Sequence, residues 1–286
     1  MKRYLYWIGL LVFATGLTSC EDVIEVDLPT EPPRLIIDAL IRVDTMQATT
    51  LVTVKLSETN SFFESIPPVN LQQITLVNLD FPLGGTDPPV LIEELTGTGI
   101  YTRLFPTGYL TQGRLFLQVD FEDSFYVANA QFVPTVPIDN IEMGEGILFD
   151  ENDTEIIVTF TDDGERDDFN LFDFDFGNFL VTEDEFYQGQ QFSFSYFYEE
   201  ILNPGDEVEV SIMGVDEEFA NYMDNLIEQS EDFGPFETPS VTVRGNFINA
   251  TNINNDGTFD NTNDPNNFAL GYFAIVQEFK QTVVIE

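Results

Sequence analysis

Period-two alternation of apolar and polar residues, broken at short intervals by turn-forming clusters, runs through this chain from Arg34 onward and restricts it to a mainly β architecture. Arg34 to Val43 is almost continuously apolar, Val52, Val54 and Leu56 share one face, and Ile74 to Leu79 is rich in branched side chains. Val90 to Leu95, Gly99 to Leu104 and Arg114 to Phe121 continue the series, the last with Leu115, Leu117, Val119 and Phe121 on one side. Between them stand Asp44-Thr45, Pro67-Pro68, Gly84-Gly85 and Asp87-Pro88-Pro89. Strands separated by turn signals about every 8 to 12 residues imply a β-sandwich, here an immunoglobulin-like or prealbumin-like one spanning 34–134. No helical period precedes residue 130.

Val133-Pro134-Thr135-Val136-Pro137-Ile138 reads as a hinge, because two prolines remove donors that a strand ladder needs. A second, β-rich domain is expected over 135–286. Its strands are Glu155 to Thr161, Phe169 to Phe179, the segment carrying Phe192, Phe194, Tyr196 and Tyr198, Glu207 to Met213, and Leu270 to Ile285. The phase slips between Leu171 and Phe172, which predicts a bulge. One helix is expected near 216–230, where Phe219, Tyr222, Met223, Leu226 and Ile227 form a single stripe and Asp216 can cap the first turn. That stripe suits packing on the adjacent sheet, with a partner-binding surface as the alternative.

The first nineteen residues read differently. Lys2 and Arg3, an apolar run from Tyr4 to Leu17, and small residues ending on Cys20 make a lipoprotein signal peptide, cleaved so that the thiol of Cys20 carries the acyl chains. Residues 20–33 then form an acidic, proline-bearing tether. Glu21-Asp22 behind the anchor suits an export address to the cell surface as well as it suits plain solvation.

Charge and missing residue types narrow the chemistry. Ten Lys and Arg face 51 Asp and Glu, so the formal charge is -41, and nucleic acid is a poor partner. With 43% apolar residues and 28 phenylalanines, the chain still has the material for a packed core. Histidine is absent and Cys20 is the single cysteine, so neither a Ser-His-Asp nor a Cys-His system can be assembled, nor a zinc site of imidazole or thiolate. Carboxylate-only chemistry and oxygen-ligand cation binding survive.

Three groups of residues are candidates for function. Asn252, Asn254, Asp256 and Asp260 occupy calcium-loop positions around Gly257, although the last position is Asn263 where a bidentate acid is wanted, so any calcium site there would be weak and no other cofactor is expected. Asp162, Asp163, Glu165, Asp167 and Asp168 crowd one turn, read as a charged hairpin tip ahead of a cation site or a glycosidase pair. Phe62 and Phe63, in a turn-like context, are candidates for partner or ligand contact. The aromatic strands of the second half are expected to be mostly core.

Cys20 with its acidic tether, Val133-Pro134 with Val136-Pro137-Ile138, Asn203-Pro204-Gly205-Asp206 and Asn267-Phe268-Ala269-Leu270-Gly271-Tyr272-Phe273 together resemble one family. It is the group of Bacteroidota lipoproteins known as domain of unknown function 4249, and the resemblance covers nearly the whole mature chain. The loop before Ala269 is longer and richer in Asn and Asp than the family pattern. The resemblance implies an outer-membrane lipoprotein that works beside a TonB-dependent receptor; a surface-facing position and a glycan or other nutrient as ligand are expectations added to it. It supplies no catalytic residues. The expectation is therefore a non-enzymatic accessory or binding protein; the alternatives are a carboxylate-only glycan hydrolase and a structural or adhesive envelope lipoprotein.

Overall fold

The computed structural model describes residues 32–60, 65–69, 71, 73–81, 83–84, 88–147, 154–198, 201–230, 242–251 and 268–285. The chain divides into two units, Met1–Pro32 and Pro33–Glu286, and of the first only Pro32 is described. Within the second, the strands run β1 Leu35–Val43, β2 Thr49–Glu58, β3 Gln73–Asn78, β4 Ile92–Glu93 and β5 Ile100–Pro106; a single helical turn, α1 Thr107–Leu110, then leads to β6 Arg114–Phe121 and β7 Ser124–Val133. There follow β8 Ile138–Met143, β9 Thr154–Thr161, β10 Phe169–Asp173, β11 Phe179–Glu183, β12 Gln191–Tyr198 and β13 Glu207–Val215. Helix α2 Glu217–Ser230, β14 Ile248–Asn249 and β15 Phe273–Val284 complete the order. The fold is mainly β, as the alternation requires.

The first sandwich packs β1, β2, β5 and β4 against β3, β6, β7 and β14. Strict alternation does the work. Leu35, Ile37, Ala39, Ile41 and Val43 of β1 point inward with Val52, Val54 and Leu56 of β2, and meet Ile74, Leu76, Leu115, Leu117 and Val119 from the facing sheet. Each such side chain contributes roughly 1.5–3 kcal/mol on full burial. Two parts differ from the sequence reading. Val90 to Leu95 yields only the two-residue β4, with Val90 bridged singly to Thr75. The turn α1 was not legible, since four residues cannot display a helical period; Tyr109 seats it by stacking on Phe105 at 5.4 Å and accepting the Asn78 amide proton at 2.7 Å.

The second sandwich packs β11, β10 and β13 with the C-terminal part of β15 against β12, β9 and β8. Its core is largely aromatic: Phe172 meets Phe194 edge-on at 5.1 Å, and Phe174 stacks on Tyr196 at 3.8 Å. The expected bulge in β10 is not there. Registers to β11 and β13 run unbroken from Phe169 to Asp173. Leu171 and Phe172 are both fully buried because β10 is covered on both faces, Phe172 by the aromatic core and Leu171 by α2 with Phe219 and Met223. A register shift lies instead between Ile138 and Asn140, where β8 meets β9.

Strand β15 joins the two sandwiches. Its first residues pair in parallel with β1, Ala39 opposite Phe273, and its later ones run antiparallel to β13, Ile212 opposite Phe279. All twelve strands apart from the β12-β9-β8 sheet are thereby one hydrogen-bonded system. The proline segment 134–137 forms no ladder, and Thr135 is held by Gln277 at 3.0 Å and by Asn170 at 2.7 Å. Arg42 of β1 adds a charged tie, reaching Asp173 at 2.8 Å and Glu278 at 3.1 Å. Burial alone would lower its pKa, but the two carboxylates outweigh that and raise it.

Candidate functional site

With Leu35, Ile37, Ala39 and Ile41 committed to the core, β1 turns Ile36, Asp38, Leu40 and Arg42 to its outer face. Thr53 and Lys55 of β2 and Ile100 of β5 extend that floor, and Lys55 lies directly across the ladder from Asp38. Helix α2 forms the opposing wall. Phe219 and Met223 anchor it on the second sandwich, while Tyr222 and Leu226 overhang the floor, Leu226 being 36% exposed. Leu270, Gly271 and Tyr272 close one side. Gly271 has φ +90, and a Cβ there would collide with the Ile37 carbonyl, so the close approach of this segment to β1 requires glycine.

The result is a trough of about 850 Å³, mostly apolar, with Asp38, Lys55 and Arg42 as its charged groups. A second chamber of about 420 Å³ shares Tyr222, Thr242, Val243 and Tyr272 with it. Glu218, Asn221 and Asn225 of α2 face Arg244, Gly245 and Asn246 across this chamber. Both volumes fall in the range of roughly 300–1,000 Å³ that suits small ligands. Three rings cluster where the two spaces adjoin: Tyr272 lies 4.8 Å from Phe219 and 4.9 Å from Tyr222, and Phe219 stacks beside Tyr222 at 6.0 Å.

Burial, and then the charge of Asp38, pushes the Tyr222 hydroxyl up to about 12. Burial, followed by the charges of Asp216 and Glu218, raises Tyr272 as well. Both therefore stay protonated at any physiological pH and remain hydrogen-bond donors. Asn246 is already spent, its side chain donating to the Phe273 carbonyl at 2.8 Å and accepting the Phe273 amide at 2.9 Å. Arg244 and Arg34 lie against the Phe268 ring, at 3.9 and 4.3 Å from its centre.

A family model described as domain of unknown function (DUF4249) matches residues 21–282. The chain belongs to that family. A search of curated proteins returns no match to this DUF4249 chain. Among solved structures, the crystal structure of bovine butyrophilin is similar at 9% identity over 64% of this chain and 92% of that one, with a TM-score of 0.22, too slight a likeness to bear on fold or function.

Cys20, Phe62, Phe63, Asn252, Asn254, Asp256 and Asp260 lie outside the described residues. The acidic turn is described, and it is not simply a solvated tip. Asp162 and Asp168 are buried, and Asp184 from the 3-10 turn Asp184–Phe186 joins them. Arg166 holds Asp168 at 2.8 Å, the Gly189 amide donates to Asp162 at 2.6 Å, and the Asp168 amide donates to Asp184 at 2.9 Å. Burial raises the Asp168 carboxyl despite Arg166, with Asp162 and Asp184 adding to the shift. Among the described residues no group of three or more acids is arranged to hold a metal ion.

The second-half aromatics are mostly core, with Phe176 and Phe186 left 55% and 86% exposed. Asp38 and Lys55 were not singled out from the sequence, and Tyr272 entered it only as part of the family motif. The available signal was the pair of charges, Asp38 and Arg42, spaced four apart on one face of an otherwise apolar strand.

Proposed function

We propose that this protein is a non-enzymatic, lipid-anchored binding protein of the bacterial outer membrane, facing the cell surface and working beside a TonB-dependent receptor in nutrient uptake. The anchor rests on the signal ending at Cys20, and the receptor rests on the family resemblance. The observation that carries the binding role is the trough between β1 and α2, large enough for a small molecule and lined by aliphatic and aromatic side chains with a few polar groups. Paired-carboxylate hydrolysis needs two acids roughly 5 to 9.5 Å apart across a cleft. Among the described residues one acid lines each space, Asp38 in the trough and Glu218 in the chamber, and neither space holds such a pair by itself.

The test is native mass spectrometry of the acylated protein released from outer membrane into detergent-free lipid discs. The expected result is an acyl mass on Cys20, a bound small molecule lost in Leu226→Glu, and a receptor barrel in the same particles. An unmodified Cys20 defeats the anchor, absence of any bound molecule in the unaltered protein defeats the binding role, and absence of a barrel defeats the partner.

A further inference from the structure

We propose that the trough and the chamber form one bipartite site, and that its ligand is an amphiphile with an apolar chain in the trough and an uncharged, hydroxylated head in the chamber. This rests on the binding role proposed above and goes on to name the ligand class.

The two spaces share Tyr222, Thr242, Val243 and Tyr272 as walls and so lie side by side, close enough for one molecule to have a part in each. Their linings differ in kind. Ile36, Leu40, Ile100, Met223, Leu226 and Leu270 give the trough a predominantly apolar surface, with Asp38, Lys55 and Arg42 as its charged groups. Apolar burial scales with area and needs no direction, which suits an aliphatic chain. The chamber offers donors and acceptors together: the Glu218 carboxylate, the Asn221 and Asn225 amides, the Arg244 guanidinium and the tyrosine hydroxyls.

Charge selects the head. Glu218 and Arg244, opposite in sign, both line the chamber, so a headgroup charge of either sign meets one like-charged side chain there. An anionic head also approaches a chain of net charge -41. On the trough side Arg42 is committed to Asp173 and Glu278, and Lys55 stands across the ladder from the opposite charge of Asp38. A polyol meets both donors and acceptors without a charge to desolvate, and its C–H faces can lie on the tyrosine rings.

The experiment is calorimetric titration of the mature protein with n-octyl glucoside below its micelle concentration, and with glucose, octanoate and octyltrimethylammonium. Octyl glucoside is expected to bind about tenfold more tightly than either charged octyl probe, and glucose not at all. Leu226→Glu should weaken every octyl probe. Asn221→Leu, at an exposed helical position, should weaken octyl glucoside about fivefold and leave octanoate unchanged. Leu51→Glu, on the same sheet face outside the trough, sets the baseline for surface change, and circular dichroism confirms that each variant is folded. Equal binding of all octyl probes, or octyl glucoside binding indifferent to Asn221→Leu, overturns the bipartite assignment and leaves the trough standing. Binding of no octyl probe overturns both.

Discussion

Asp168 illustrates how one carboxylate in so acidic a chain can be held at a cost. It is buried beside Asp162 and Asp184 with Arg166 as its counter-ion at 2.8 Å, and its pKa is raised above that of a free aspartate. The folded state therefore binds its proton more tightly than the unfolded chain does. Its contribution to stability is fully present below the unfolded pKa of about 3.9 and is lost as pH rises through the higher folded value. Asp168→Asn removes this dependence. In paired urea titrations from pH 3 upward, the difference in unfolding free energy, variant minus unaltered protein, is expected to grow across the window just above pH about 4 and then level off. A flat difference would show that Asp168 ionises alike in both states.

At the scale of elements, helix α2 was legible because its stripe from Phe219 to Ile227 repeats over about two and a half turns and its cap sits in place: the Phe219 amide donates to the Asp216 carboxylate at 2.8 Å. Glu217 and Glu218 in the first turn complement the positive end of the helix dipole. Asp216→Ala should cost about 1 kcal/mol of stability, read as a lower midpoint in chemical denaturation with unchanged slope. The strands with one solvent face were equally readable, β2 and β6 above all. Strand β10 was misread because a residue pattern cannot say whether one layer or two cover a sheet, and neighbouring buried residues look like a broken phase. Short pieces such as β4 and α1 fall below the length at which a period exists. The trough was illegible for another reason. Its walls come from β1, α2 and the segment before β15, and nothing local to Asp38 or Tyr272 announces that they meet.

For the molecule as a whole, the shared strand β15 and the Arg42 tie make the two sandwiches one cooperative body in spite of the proline segment between them. Scanning calorimetry should give a single unfolding transition whose calorimetric and van't Hoff enthalpies agree. Two separable transitions would mean that the sandwiches are independent and that β15 contributes little to coupling them.

The same strand fixes the order of assembly. Ribosomes make β1 early and β15 last, yet Ala39 waits for Phe273 as its parallel neighbour, nearly the whole chain away. Until the final residues emerge, one side of β1 has bare amides and carbonyls, an open template for pairing with any other extended chain. Closure of this edge thus waits for β15, and a nascent chain stalled before residue 273 is the species that a chaperone must shield.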